Sequence, residues 1–273
     1  MRFKDSPKEN YFAGGLSMYS SVAGESRMRT TLVNLAIACH VKIDEKNYIS
    51  GGLQGGFNQK SIDKKDLRFN NQFDGTGHNP ALSSNEDLSS TSEISPTISG
   101  GISYMWSNFF GRNATRTNNA KKKINVGLAV HHYNAPRYYF VAQEDLGLKY
   151  TVNFKGSFGF SSSPWVIQPA AYMAIQNKAT DIMFGSIVKY NISENSSNFS
   201  KTASIGFGGY YRIGDGIIPK VQLQWDSFAL GMSYDINSSE LSAASRSRGG
   251  FEISLKYVSQ NSVFGNQSKA RFF

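Results

Sequence analysis

Cysteine is nearly absent from this 273-residue chain: Cys39 stands alone. One thiol excludes an internal disulfide framework and any multi-cysteine zinc or iron–sulfur centre. Charge is scarce as well, at 18% of residues, against the roughly 25% of ordinary soluble domains. No run approaches about 18 consecutive apolar residues, so no segment reads as a transmembrane helix. No stretch repeats apolar residues at three-and-four spacing either, which leaves no long amphipathic helix. The opening Met1–Asn10 lacks the apolar stretch of a signal peptide. Either the protein stays inside the cell, or this sequence lacks its true N-terminus.

Aromatics and small residues are plentiful: 3 Trp, 14 Tyr, 19 Phe and 26 Gly. That balance is the opposite of a disordered chain. The dominant pattern is alternation with period two, in runs of about ten residues. From Thr30 to Ile43, Val33, Leu35, Ile37, Cys39, Val41 and Ile43 share one face, with Asn34, Ala36, Ala38, His40 and Lys42 opposite. A turn at Asp44–Asn47 then leads into Tyr48–Asn58, a hairpin of two long strands. Similar segments are Tyr11–Ser20, Thr97–Ser107, Ile124–Tyr133, Lys149–Phe160, Trp165–Gln176 and Thr180–Asn191. Ala203–Arg212, Pro219–Trp225, Phe228–Ile236 and Gly250–Tyr257 bring the strands to about twelve. The fold class is all-β. Connections are tight at 44–47, 161–164 and 177–179, and long at 60–96, 108–123 and 191–201. Segregation of short turns and long loops to opposite rims is expected of a membrane barrel, a pattern that the basic 108–123 connection blurs.

Alternation alone does not separate a membrane barrel from a soluble sandwich. Strands of ten or so residues match the roughly 9–11 that cross a bilayer at a tilt, whereas globular strands average about 5–6. The polar face is small and hydrophilic: Gly206, Gly208, Tyr210 and Arg212, then Lys220, Gln222 and Gln224, then Asp235, Glu252, Ser254 and Lys256. Trp106, Tyr138, Tyr139, Trp165, Tyr190, Trp225, Tyr234 and Tyr257 fall near strand ends, as in a membrane–water belt. These features favour a single transmembrane antiparallel up-and-down β-barrel, closed because a bilayer offers no partner to an unpaired peptide group.

Candidate chemistry is thin. His131 and His132 are adjacent, so on a strand they point to opposite faces, and His40 and His78 are distant in sequence. The residues therefore suggest no metal site, no catalytic triad and no cofactor. The glycines at 206–209 open no dinucleotide fingerprint. A formal charge of +9 comes without a nucleic-acid motif and, outside Lys121–Lys123, without clustering, so no nucleic-acid partner is expected. Arg212, Asp215, Asp235 and Glu252 stand out. Alternation places Arg212, Asp235 and Glu252 on the lumen face and Asp215 at a strand end, a candidate polar network of paired charges. Its readings are a structural network or a contact with a translocating partner.

The ordered set Gly206-Phe-Gly-Gly-Tyr-Tyr-Arg-Ile-Gly-Asp215, Ile218-Pro219, Gly231–Leu241 and Arg248–Tyr257 resembles the PorP/SprF family of type IX secretion outer-membrane proteins. Gly14–Tyr19, Leu53–Gly56, Phe69–Asp74, Val126–Leu128, His131–Pro136 and Gln168-Pro169 agree, so the resemblance spans nearly the whole chain. It implies a non-enzymatic outer-membrane barrel of a Gram-negative cell that assists secretion or surface anchoring of cognate proteins, gliding adhesins among them. Its implied partners are outer-membrane lipid, other type IX components and a secreted or surface-anchored substrate. The family opens with a signal peptide and two early strands that have no counterpart here, which implies twelve strands of about fourteen and an N-terminally incomplete chain. It also closes with a Cys-Pro-Arg-Phe-like tail, whereas residues 258–273 form a tail ending Ala270-Arg-Phe-Phe273. A solute pore and a soluble sandwich binding module are the competing expectations.

Overall fold

The computed structural model describes residues 10–23, 27–62, 67–85, 92–108, 121–139, 143–161, 163–193, 202–238 and 248–258. One antiparallel sheet holds twelve strands in up-and-down order. They are β1 (Tyr11–Ala23), β2 (Met28–Lys42), β3 (Asn47–Ser61), β4 (Ser92–Ser107), β5 (Lys122–His131) and β8 (Lys149–Gly159). The series continues with β9 (Trp165–Gln176), β10 (Ala179–Ser193), β11 (Thr202–Arg212), β12 (Gly216–Trp225), β13 (Phe228–Asn237) and β14 (Arg248–Tyr257). A short ribbon of β6 (Arg137–Tyr139) and β7 (Gln143–Asp145) lies in the connection between β5 and β8. All twelve anticipated segments are strands of the sheet. Among the described residues β1 and β14 are its two edges and do not pair with each other. Tyr138 and Tyr139 belong to β6, so they are not at the end of a wall strand as the sequence suggested.

Local chemistry explains the turns. Asp44 accepts hydrogen bonds at Oδ1 from the backbone N–H groups of Lys46 (2.7 Å) and Asn47 (2.9 Å), and its other oxygen accepts from Asn47 Nδ2 (2.6 Å). Such a side chain mimics a backbone turn. These bonds hold the Asp44 carboxyl below the ordinary aspartate value.

Prolines are tolerated in the wall where the ladder is interrupted. Pro169 in β9 lies where no pairing joins Gly156–Ser157 of β8 to Gln168–Pro169, and Pro219 in β12 lies in the matching break against β13. In β4, the Pro96 carbonyl accepts from Asn134 Nδ2 (2.7 Å), on the side facing away from β3. The N–H that proline lacks would point the same way, beyond the end of β5, so no ladder bond is lost. This is why β4 begins at Ser92 rather than at Thr97, where the polar run and the proline had hidden it.

Register separates the two faces. The row Cys39–Gly51–Ile102–Leu128–Val152–Met173 crosses six strands on one side. One residue further along, Ala38–Gly52–Gly101–Ala129–Thr151–Ala174 crosses on the other. The first face is apolar and open: Leu35, Leu53 and Ile102 are 62%, 64% and 62% exposed. The second is small, polar and sheltered, with Ser95, Thr97, Ser99 and Ser204 buried. Among the described residues the buried hydrophobics are only Tyr48, Val166, Ala174, Ile187 and Ala229. A soluble sandwich is the reverse, with apolar faces meeting in a shared core. Here one sheet has its greasy side outward, an arrangement that water penalises and hydrocarbon solvates.

With twelve strands the chain enters β1 and leaves β14 at the same rim. Ring contacts mark that rim: Trp165 against Tyr190 edge-on (4.8 Å between centroids), Trp225 stacked on Phe228 (6.0 Å) and Phe228 tilted on Tyr257 (4.9 Å). Nearer the opposite rim Phe184 meets Tyr211 edge-on at 5.9 Å. The two longest connections, 62–91 and 132–148, both lie on that opposite rim, although 108–121 and 194–201 keep the segregation by length incomplete.

Leu53→Arg places a charge on the outward face, whereas Gln54→Arg places it inside. Denaturant unfolding in lipid vesicles should show the first destabilised by about 2–4 kcal/mol, the midplane cost of a cation on a barrel exterior, and the second nearly unchanged.

Candidate functional site

The interior at the loop rim carries an ion cluster around Arg212, the last residue of β11. Its Nη1 donates to Asp215 Oδ2 at 2.9 Å and lies 3.7 Å from Asp235 Oδ2; its Nε lies 3.6 Å from Asp181 Oδ1. The tight β11–β12 turn delivers Asp215, with Gly214 at φ +76° supplying the left-handed step and the Asp215 N–H donating to the Arg212 carbonyl (3.1 Å). Asp235 sits at the register irregularity between Tyr234 and Ile236, where it faces two residues of β14, Gly249 and Gly250, and β14 bulges.

Of the sequence candidates, Arg212, Asp215 and Asp235 meet. Glu252 does not join them: it sits across from Ser233, whose hydroxyl lies 3.5 Å from Glu252 Oε2. Asp181 was missed. Alternation within Thr180–Asn191 puts it on the inner face, but only the β10–β11 register, with Met183 opposite Arg212, brings it within reach. One cation among three carboxylates is electrostatically incomplete, and Asp235 Oδ1 has no hydrogen-bond partner among the described residues.

His131 ends β5 and its Nε2 lies 3.3 Å from Thr151 Oγ1. His132 is already outside the strand at φ 60°, so the alternation rule applied to this pair from sequence does not govern it. Burial, followed by the charges of His131 and Lys149, pushes the His132 imidazole below its ordinary value.

The second candidate is the rim itself. The β3–β4 register climbs to Ser61 opposite Ser92, whereas β4 and β5 part at Gly100 opposite Val130. Ser92–Ser99 therefore stands above β5 by roughly 26 Å of strand. Asn134 stitches this free edge: its Nδ2 donates to the Pro96 carbonyl (2.7 Å), its Oδ1 accepts from the Ile98 N–H (3.0 Å), and the Tyr133 N–H donates to the Ile98 carbonyl (2.8 Å).

Residues 67–85, in the connection from β3 to β4, have local order that the sequence, showing no strand pattern, did not disclose. A single 3₁₀ turn, Asn70–Gln72, precedes a bridge between Phe73 and His78. Within the bridge Asp74 Oδ1 accepts from Thr76 N (3.0 Å), Thr76 Oγ1 (2.8 Å) and Gly77 N (3.0 Å), with Gly75 at φ +97°. The Asp74-Gly75-Thr76-Gly77 string is the signal that marks this turn. Gln72 Nε2 donates to the Leu82 carbonyl (3.1 Å) and closes the loop on itself. Phe73 is left 61% exposed at its tip.

A family model described as type IX secretion system membrane protein PorP/SprF matches residues 2–257. The chain belongs to the PorP/SprF family. The twelve-stranded sheet is thus the wall of a transmembrane β-barrel, and membership implies interaction with other type IX components. Among curated proteins, none matches the chain.

Arg212→Gln leaves Asp181, Asp215 and Asp235 facing one another. Because these side chains are partly solvated, the expected loss is about 1 kcal/mol, measured as a lowered denaturant midpoint and worsening at low salt. The Asp74 turn gives a pH test. Its hydrogen bonds, chiefly that from the Thr76 N–H, hold the carboxyl below the ordinary value. A depressed folded-state value means the turn's stabilisation is complete above the ordinary aspartate range and is lost as pH falls through the lowered value. Thr76 and Gly77 amide protons should begin exchanging faster only in that acid window, and Asp74→Asn should remove the dependence.

Proposed function

We propose that the protein is a non-enzymatic outer-membrane barrel that assists secretion or surface anchoring of cognate proteins through the type IX system, gliding adhesins among the candidates. The observation that carries this reading is the raised ledge of β3 and β4, with the self-closed 67–85 loop in the connection between these two strands. Loops on a rigid scaffold suit binding because their geometry is held without their own hydrophobic core. An exposed aromatic on such a loop has the character of an interface anchor, and Phe73 occupies that place. Outer-membrane lipid solvates the apolar exterior, and the long-loop rim corresponds to the cell surface in the usual barrel orientation.

Within this reading the Arg212 cluster is structural. It ties the β9–β10 end of the wall, through Asp181, to the β11–β12 turn and β13.

Replacing residues 67–85 with a short Gly-Ser link tests the docking surface. Cognate substrate should disappear from the cell surface while heat-modifiable gel migration shows the barrel still assembled, and Phe73→Asp should reproduce part of that loss. Unchanged surface retention in both variants removes the ledge from the mechanism.

A further inference from the structure

Lysine is the charged residue at the inward positions of the half next to the chain ends, whereas the other half carries both signs. Toward the rim where the chain enters and leaves, inward positions carry Lys42 on β2, Lys123 on β5, Lys155 on β8, Lys189 on β10 and Lys256 on β14. The other end holds the carboxylates Glu93, at the top of β4, and Asp181, Asp215 and Asp235 around Arg212, together with Lys60 opposite Glu93 and Lys149 opposite His131. Glu252 and Lys220 lie between the two zones, each in register with Ser233. Among the described residues Lys155, Lys189 and Lys220 form no ion pair with a carboxylate.

The lysines nearest one another come from β5, β8 and β10. Lys123 is paired in register with Ser157, and Lys155 projects from the same face of β8 as Ser157. The Gly159 N–H donates to the Lys121 carbonyl (2.9 Å), and Gly159, Val166 and Lys189 continue that row. Lys121 and Lys189 thus stand three strand spacings apart, about 14 Å between backbones, a gap that two long side chains largely close. Of the positions between and beside them, Ser157, Gly159, Ser204 and Gly206 are small, and Val166 is the apolar one. A low-dielectric wall concentrates the field of such a group, and rings of lysine are how pores favour anions.

We propose that the half of the interior next to the chain ends is a cationic vestibule that admits small anions, phosphate-type ions above all, in preference to cations. The inference does not depend on the ledge or on any protein substrate.

The test is the reversal potential of the purified full chain in planar bilayers under a tenfold potassium chloride gradient. Chloride should permeate in preference to potassium. Lys123→Gln with Lys189→Gln should lower that preference at least about twofold, whereas Lys46→Gln, in the β2–β3 turn, should leave it unchanged. A second measurement needs no substitution: inorganic pyrophosphate added on the side of the chain ends should reduce chloride current more than the same addition opposite. Absence of current, preference for potassium, a ratio indifferent to both lysines, or equal block from the two sides each overturns the proposal.

Discussion

Every peptide group that lies in hydrocarbon must find its hydrogen-bond partner within the protein, at a cost of several kcal/mol for each one that fails. That requirement organises this molecule. It explains why strand follows strand through an uninterrupted series of antiparallel neighbours from β1 to β14, and why the ribbon β6–β7 sits outside the series rather than between two wall strands. The same requirement governs the exceptions. Pro169 and Pro219 fall at breaks in the ladder, and Pro96 turns its missing donor toward the side where β5 has ended. Above the rim, Asn134 supplies with a side chain what a neighbouring strand supplies elsewhere.

Once register is fixed, the pleat divides the residues. The outward row through Ile102 and Leu128 is bulky and apolar, and the inward row through Gly101 and Ala129 is small. Small inward residues leave the interior unfilled by hydrophobic packing, so the polar groups there are free of the demands of a core. Charges are affordable on that side only because water or another charge can reach them. The Arg212 cluster answers that condition by pairing.

The strands were legible because a period of two survives any tertiary arrangement that keeps one face in hydrocarbon. Val33 to Val41 and Ile124 to Val130 could be assigned from alternation alone, and each lies within a wall strand. Boundaries were less legible where chemistry on both faces is polar: Lys60–Ser61 and Ser92–Pro96 read as loop, yet they pair. β12 was placed from Pro219 but starts at Gly216, since proline at a ladder break does not end a strand. Of the ion cluster, Asp215 was visible from its place at a strand end, and Arg212 and Asp235 from alternation. Asp181 depends on cross-strand register, which turn lengths alone did not supply. The 67–85 loop was opaque as a whole because its order rests on side-chain to backbone bonds, which leave no periodic trace.

The ledge and the vestibule lie at opposite ends of one rigid wall, and this separation has a physical consequence. The ledge acts through shape and an exposed aromatic, interactions that vary little with ionic strength. The proposed vestibule acts through charge, which salt screens over about 8–10 Å. A rigid sheet passes no conformational signal between them unless strands slide, and sliding by one residue would turn every outward apolar side chain inward. The two ends are therefore coupled only through what enters the lumen. A polypeptide held at the ledge meets acidic groups around Arg212 first, and only a segment carrying negative charge gains on reaching the lysines beyond.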